Sequence, residues 1–197
     1  MGKVYHHVNE DELPKCYNCN KDISEGFERC PHCGVPLRYT SIDDIKQATS
    51  LHTEGNILAA RGDFAKAIDL YRQAVELFPD YAVAYYNLGL AHISLKDYTP
   101  AIEAMTQAIH LKSDFAAAYT SRGDSLVALD ELDEAVKDYG KAIELYPDYA
   151  RAYYKRALAY IKKDEKFEAR EDLENYLSYK PHDTIARRKL EALKGGS

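Results

Sequence analysis

Three stretches of this chain align at a fixed spacing of 34 residues: DYAVAYYNLGLAHI from Asp80, DFAAAYTSRGDSLV from Asp114 and DYARAYYKRALAYI from Asp148. The stretches between them repeat as well: DFAKAIDLYRQAVELFPD from Asp63, DYTPAIEAMTQAIHLKSD from Asp97 and ELDEAVKDYGKAIELYPD from Glu131. A period of this length constrains the fold more than any compositional figure. One unit is too small to bury its own apolar face, so successive units must stack on one another.

Within each unit the apolar residues step at helical intervals. Ala67, Ile68, Tyr71, Ala74 and Val75 recur every three or four residues, so each unit reads as two amphipathic helices. Asp80, Asp114 and Asp148 stand where a helix N-cap is wanted. Pro79, Pro147 and Pro181 end the preceding helices, because proline cannot continue one and restricts the residue before it. Gly55, Gly89, Gly123 and Ala157 share one mid-helix phase. Glycine there costs about 1 kcal/mol relative to alanine, which implies close packing against the second helix. A matching row of Ala67, Ala101, Ala135 and Ala169 lies on that helix.

These positions resemble the tetratricopeptide repeat family, whose pattern has a large residue, a Leu-Gly pair, an aromatic, then Ala, an aromatic, Ala and Pro. The first unit gives Leu51, Gly55, Leu58, Ala67, Tyr71, Ala74 and Pro79. The third gives Tyr119, Gly123, Leu126, Ala135, Tyr139, Ala142 and Pro147. The second unit has Ser113 in place of the proline, and in the fourth Tyr176 replaces a small residue. The resemblance implies an all-α fold: a right-handed superhelical α-solenoid of four helix-turn-helix units, at about 48–81, 82–115, 116–149 and 150–182. A helix over about 183–194 would cap the open end, with Ile185, Leu190 and Leu193 inward and its cations in water. The repeat domain would run over 41–194, with Ser41 as a candidate first N-cap.

Residues 1–40 read as a separate module with a flexible N-terminal tail. The segment CYNCNKDISEGFERCPHCG holds every cysteine of the chain, as Cys16-x2-Cys19 and Cys30-x2-Cys33. A two-residue gap lets both thiolates of a pair converge on one ion, and two pairs supply the four-sulfur set that zinc favours. The segment resembles the short zinc-ribbon family, with these four cysteines at its ligand positions. That implies a small β-hairpin folded around one structural zinc. Ile23, Phe27, Val35 and Leu37 are its available core, too few to fold without metal. Four ligands close the shell, whereas a catalytic zinc keeps a position open. An iron-sulfur cluster or a rubredoxin-like iron stays chemically open with the same donors.

In the family that the repeats resemble, the first helices of the units line a concave groove. Carried over, the groove residues that would meet a partner are His52, Asn56, Tyr86, Asn87, Leu90, Ser121, Asp124, Arg151, Tyr154 and Lys155. Most tyrosines fall on packing positions, but Tyr86 and Tyr154 fall on groove positions and offer apolar area with a hydrogen-bonding tip. One subgroup of the family grips the C-terminal carboxylate of heat-shock chaperones with Lys, Asn, Asn, Lys and Arg. Asn56 and Asn87 match its asparagines, while His52, Ala117 and Ser121 stand where its cations belong. Arg151 and Lys155 occupy the corresponding phases one unit later.

No nucleophile–base pair, phosphate loop or HExxH motif is present, so the reading is a non-enzymatic adaptor or scaffold for a protein or peptide partner. The formal net charge of -6 argues against nucleic acid, although a ribbon could serve a nucleic-acid-associated protein. A degenerate chaperone-tail binder and a metal- or redox-responsive switch also fit the residues, and self-association stays open. No stretch has the roughly 18 unbroken apolar residues of a membrane span, and the N-terminus lacks the apolar core of a secretory signal. The expected location is the cytoplasm.

Overall fold

The computed structural model describes residues 42–195, together with residues 4–5, 32 and 38–39. The four cysteines, the zinc site and hairpin expected of them, most of the tail and Ser41 therefore lie outside the described residues. Two-residue strands β1 (Val4–Tyr5) and β2 (Arg38–Tyr39) pair in parallel, which is not a hairpin pairing. The rest is helical: α1 (Ile42–Ala60), α2 (Phe64–Leu77), α3 (Ala82–Ser94), α4 (Tyr98–Leu111), α5 (Ala116–Ala128), α6 (Leu132–Leu145), α7 (Ala150–Lys162), α8 (Lys166–Tyr179) and α9 (Thr184–Gly195). Among the described residues no helix is long and apolar enough to cross a membrane.

The chain divides into two compact units, Met1–Ala91 and His92–Ser197. In the first, α1 packs against α2, and Ala48, Ala74, Val75 and Ala84 form a core flanked by Leu51, Phe78, Tyr81 and Tyr85. In the second, α5 packs on α4 and α6, α7 on α6 and α8, and α8 on α9. Ala116, Ala142 and Ala152 form one core there; Leu126, Ala135, Tyr139 and Ala159 form another. Ala186 and Leu190 of α9, with Leu193 packed against them, close the last core with Ala157 and Leu173, whereas Ile185, expected inward, is 63% exposed.

Glycine and tyrosine fit together within a unit. A Cβ on Gly55 would lie 2.6 Å from Cε1 of Tyr71, and one on Gly123 would lie 2.7 Å from Cε1 of Tyr139. Both tyrosines are fully buried. Their rings thus occupy the space the missing side chains leave. Where alanine replaces glycine, at Ala157, the residue sixteen positions on is the smaller Leu173.

The turns show a second periodicity. Gly62, Lys96, Asp130 and Asp164 have φ of 88, 61, 65 and 60°. The amide after each donates to a carbonyl five residues back: Asp63 to Leu58, Asp97 to His92, Glu131 to Leu126 and Glu165 to Tyr160, all at 2.9 Å. This closure ends a helix on a left-handed residue, and only Gly62 takes that conformation without steric penalty.

The expected N-caps at Asp114 and Asp148 are corrected by one residue: Phe115 and Tyr149 are the N-cap residues of α5 and α7, and neither makes a side-chain cap bond. The aspartates sit third in tight turns closed by Phe115 N–H to the Lys112 carbonyl and Tyr149 N–H to that of Tyr146. Asp80 holds the same turn position before α3, closed by Tyr81 N–H to the Phe78 carbonyl. Proline, or Ser113, precedes each aspartate, and this chemistry favours the turn itself. At α9 the aspartate moves one place on, to Asp183, and caps: Oδ1 accepts from the amides of Ile185 (2.9 Å) and Ala186 (3.0 Å). Those bonds, the Ala186 amide first, and the Tyr176 hydroxyl hold its carboxyl below the usual carboxylate range.

Candidate functional site: two polar clusters on one template

The residues expected to line a groove fall five in each unit. His52, Asn56, Tyr86, Asn87 and Leu90 belong to the first; Ser121, Asp124, Arg151, Tyr154 and Lys155 belong to the second.

In the first unit the Tyr71 ring crosses Gly55, so its hydroxyl emerges beside the next residue and donates to Oδ1 of Asn56 at 2.8 Å. Nδ2 of Asn87 donates to the same oxygen and to Nε2 of His52, both at 2.9 Å. An amide nitrogen has only protons to offer, so Nε2 is an acceptor and the imidazole carries its proton on Nδ1. That proton goes to the Tyr81 hydroxyl at 3.1 Å. Burial also pushes the His52 pKa below its ordinary value, since a low-dielectric site disfavours the charged ring. His52 is 8% exposed. The cluster is neutral, and His52, Asn56 and Asn87 are committed to one another. Tyr86 and Leu90 are half-buried on α3.

In the second unit the Tyr139 ring crosses Gly123 and its hydroxyl donates to Oδ1 of Asp124 at 2.8 Å. Burial first, and the Asp124 charge second, push that phenol up. Two cations of α7 reach the same carboxylate: Arg151 Nη2 at 3.2 Å and Lys155 Nζ at 3.0 Å. The Arg151 side chain is 57% exposed and that of Lys155 33%. Tyr154 is half-buried, its ring tilted against that of Tyr176 at 4.9 Å. The Tyr176 hydroxyl donates to Oδ2 of Asp183 at 2.7 Å and is pushed up to about 12, chiefly by that bond. Ser121 is 4% exposed, so it offers little surface. Its carbonyl accepts from the Ser125 hydroxyl.

Sequence reasoning missed Tyr71, Tyr81 and Tyr139, which organise both clusters. A signal for two of them is present: Gly55-Asn56 with Tyr71 recurs two repeats later as Gly123-Asp124 with Tyr139. It also missed two buried ion pairs between the helices of single repeats. Arg122 donates through Nε and Nη2 to both Asp138 oxygens at 2.7 Å, and Arg156 does the same to Asp172 at 2.8 Å. These bonds, ahead of any burial effect, push both guanidinium pKa values up. Among the described residues no group of histidines, cysteines and carboxylates could hold a metal ion.

Comparisons with known proteins concern the repeats. A family model described as "TPR repeat" matches residues 55–96 and 123–164, and one described as "Tetratricopeptide repeat" matches 82–115 and 150–183. Together they cover more than half of the chain. The small glutamine-rich tetratricopeptide repeat-containing protein beta of Homo sapiens is 38% identical over 66 residues, 34% of this chain; the chain spans 22% of that relative's length. The crystal structure of MamA protein is 28% identical with a TM-score of 0.73, covering 77% of this chain and 82% of that one. The first TPR of Spaghetti (RPAP3), solved bound to the HSP90 peptide SRMEEVD, is 28% identical with a TM-score of 0.60, covering 61% of this chain and 95% of that one.

Proposed function

Because the chain belongs to the tetratricopeptide repeat family, we propose that it is a non-enzymatic adaptor that holds a peptide, or an extended segment of a partner protein, on the first-helix faces of its repeats. The observation that carries this reading is that each unit holds half-buried apolar or aromatic side chains on a helix that supplies its polar cluster: Tyr86 and Leu90 on α3 with Asn87, and Tyr154 on α7 with Arg151 and Lys155. Tyrosines at such faces contribute large contact area at low entropic cost. The likeness to a repeat domain solved with a bound peptide supports it. Replacing Tyr86, Tyr154 and Lys155 with alanine is expected to leave helicity intact and to weaken partner capture. Unchanged capture would exclude these faces as the site.

Chaperone-tail capture is the second reading, and Asn56 and Asn87 favour it. It is the weaker one. Both amides are engaged within the chain, His52 is neutral, and Ala117 and Ser121 bring no charge.

For the N-terminal module the proposal is one structural zinc held by Cys16, Cys19, Cys30 and Cys33. Two CxxC pairs are a complete tetrahedral thiolate set. Metal analysis of the purified chain tests this: one zinc per chain is expected, and iron or no metal would overturn it. Partner capture with and without chelator separates a structural metal from a switch.

A further inference from the structure

Later first helices pack on the second helix before them through one recurring phase. Ala84 shares a core with Ala74 and Val75 of α2, Ala152 with Ala142 of α6, and Ala186 with Leu173 of α8. All three alanines are fully buried. Seven residues on, Ala91, Ser125 and Ala159 are buried too, Ala159 in a core with Ala135 and Tyr139 of α6. By the 34-residue period the counterparts on α1 are Ser50 and Ile57. Ser50 is exposed and Ile57 is 49% exposed. This face of α1 thus has the phase of a packing surface. Helix α1 also begins earlier than its counterparts. It has 19 residues against 13 for α3, α5 and α7, and the added turns carry Ile42, 48% exposed. Ile42 and Ile57 stand about 60° apart around the helix and roughly 22 Å apart along it, so they bound one stripe.

We propose that the cysteine segment, within residues 6–37, docks on this stripe, so that the N-terminal module is a fixed end-piece of the first repeat. Its place in the chain favours it. Val4 pairs with Arg38 and Tyr5 with Tyr39, so residues 6–37 leave and rejoin the chain at one place, just before Ile42. A loop of that length reaches both ends of the stripe. Apolar need is shared by the two sides. Ile23, Phe27, Val35 and Leu37 are too few for a core of their own, and the two isoleucines of α1 add to them. The size of Ile57 argues against a second copy stacked in the manner of a repeat. Where a repeat helix packs, the residue is Ala91, Ser125 or Ala159, and the distance between helix axes depends on the side chains at the contact. The docking is independent of what the repeats bind.

Nuclear magnetic resonance of the full chain with labelled isoleucine methyls tests this. The methyls of Ile42 and Ile57 are expected to show nuclear Overhauser contacts to protons of residues 6–37, with the Phe27 ring the readiest to detect. Ile57→Ala places on α1 the residue that α3 and α7 carry there, and alanine is the best helix former, so α1 stays helical. This variant is expected to move the amide signals of residues 6–37. Ile185→Ala, at the more exposed isoleucine of α9, is expected to leave them in place. Methyls of Ile42 and Ile57 without contacts to residues 6–37 would overturn the docking. So would signals of 6–37 that ignore Ile57→Ala, or that respond equally to Ile185→Ala. Contacts that arise between molecules in a mixture of labelled and unlabelled chains would make a second copy the occupant and overturn it as well.

Discussion

In the first unit a tyrosine hydroxyl that has crossed a glycine meets an amide; in the second, two repeats later, the same hydroxyl meets a carboxylate. Everything around the two sites follows from that one exchange. Asn56 is neutral and recruits neutral partners, Asn87 and through it His52. Asp124 is charged and recruits Arg151 and Lys155. The same template therefore carries a self-satisfied network at one site and a cation-rich one at the other. The contrast extends to the scaffold. The second unit ties its helix pairs with the ion pairs Arg122–Asp138 and Arg156–Asp172, where the first repeat has Glu54 and Leu70 at the same positions.

The ion pairs offer the largest break in this comparison. Arg122→Leu strands the nearly buried Asp138 and is expected to destabilise the fold by about 3–5 kcal/mol. The second repeat holds Leu88 and Ala104 at these positions, so adding Asp138→Ala is expected to recover most of the loss. Denaturant unfolding of the single and double variants measures this as a coupling energy.

The glycine–tyrosine fit comes next. Gly123→Ala gains about 1 kcal/mol of helix propensity but drives a Cβ into the Tyr139 ring. A net loss of about 1–3 kcal/mol is expected, as for other overpacked cores. At Gly140 the nearest atom is Arg156 Nη1 at 3.4 Å, so alanine there is expected to stabilise. Thermal melts of the two variants should therefore move in opposite directions.

A smaller effect lies in the turns. Lys96 holds a left-handed conformation that Gly62 holds in the first unit. Lys96→Gly is expected to stabilise by about 0.5–1 kcal/mol, the relief of the steric penalty less the added freedom of the unfolded chain. A raised denaturant midpoint would show it.

The last effect is read in the pH dependence. His52 has a folded-state pKa below its ordinary 6.5. Its contribution to stability is present in full above pH 6.5. It is lost as the pH falls through the folded-state value, because the unfolded chain takes up a proton that the folded one resists. His52→Gln is expected to remove that component, seen by comparing denaturant midpoints on either side of pH 6.5.

The helices and their partners were legible in the sequence because a 34-residue period repeats the same apolar phases, and Gly55 and Gly123 announced close packing. The capping was misplaced because Asp114 and Asp148 serve equally well in a turn, and only hydrogen bonding distinguishes the two uses. The clusters were half legible. Helical phase brings His52, Asn56 and Asn87, or Asp124, Arg151 and Lys155, to one face, but not which groups pair. Tyr71 and Tyr139 read as core because their rings are core; their hydroxyls reach the polar side only because of where the glycines lie. Arg122 and Asp138 stand sixteen residues apart on different helices, a separation that no single-helix pattern reveals.

The contrast between the units is tested most directly by denaturant unfolding of Asp124→Asn and Asn87→Ala at low and high salt. The account predicts that the effect of Asp124→Asn, which removes a charge paired with Arg151 and Lys155, shrinks as salt is raised, while that of Asn87→Ala, within a neutral network, does not. Effects that respond to salt alike would contradict it.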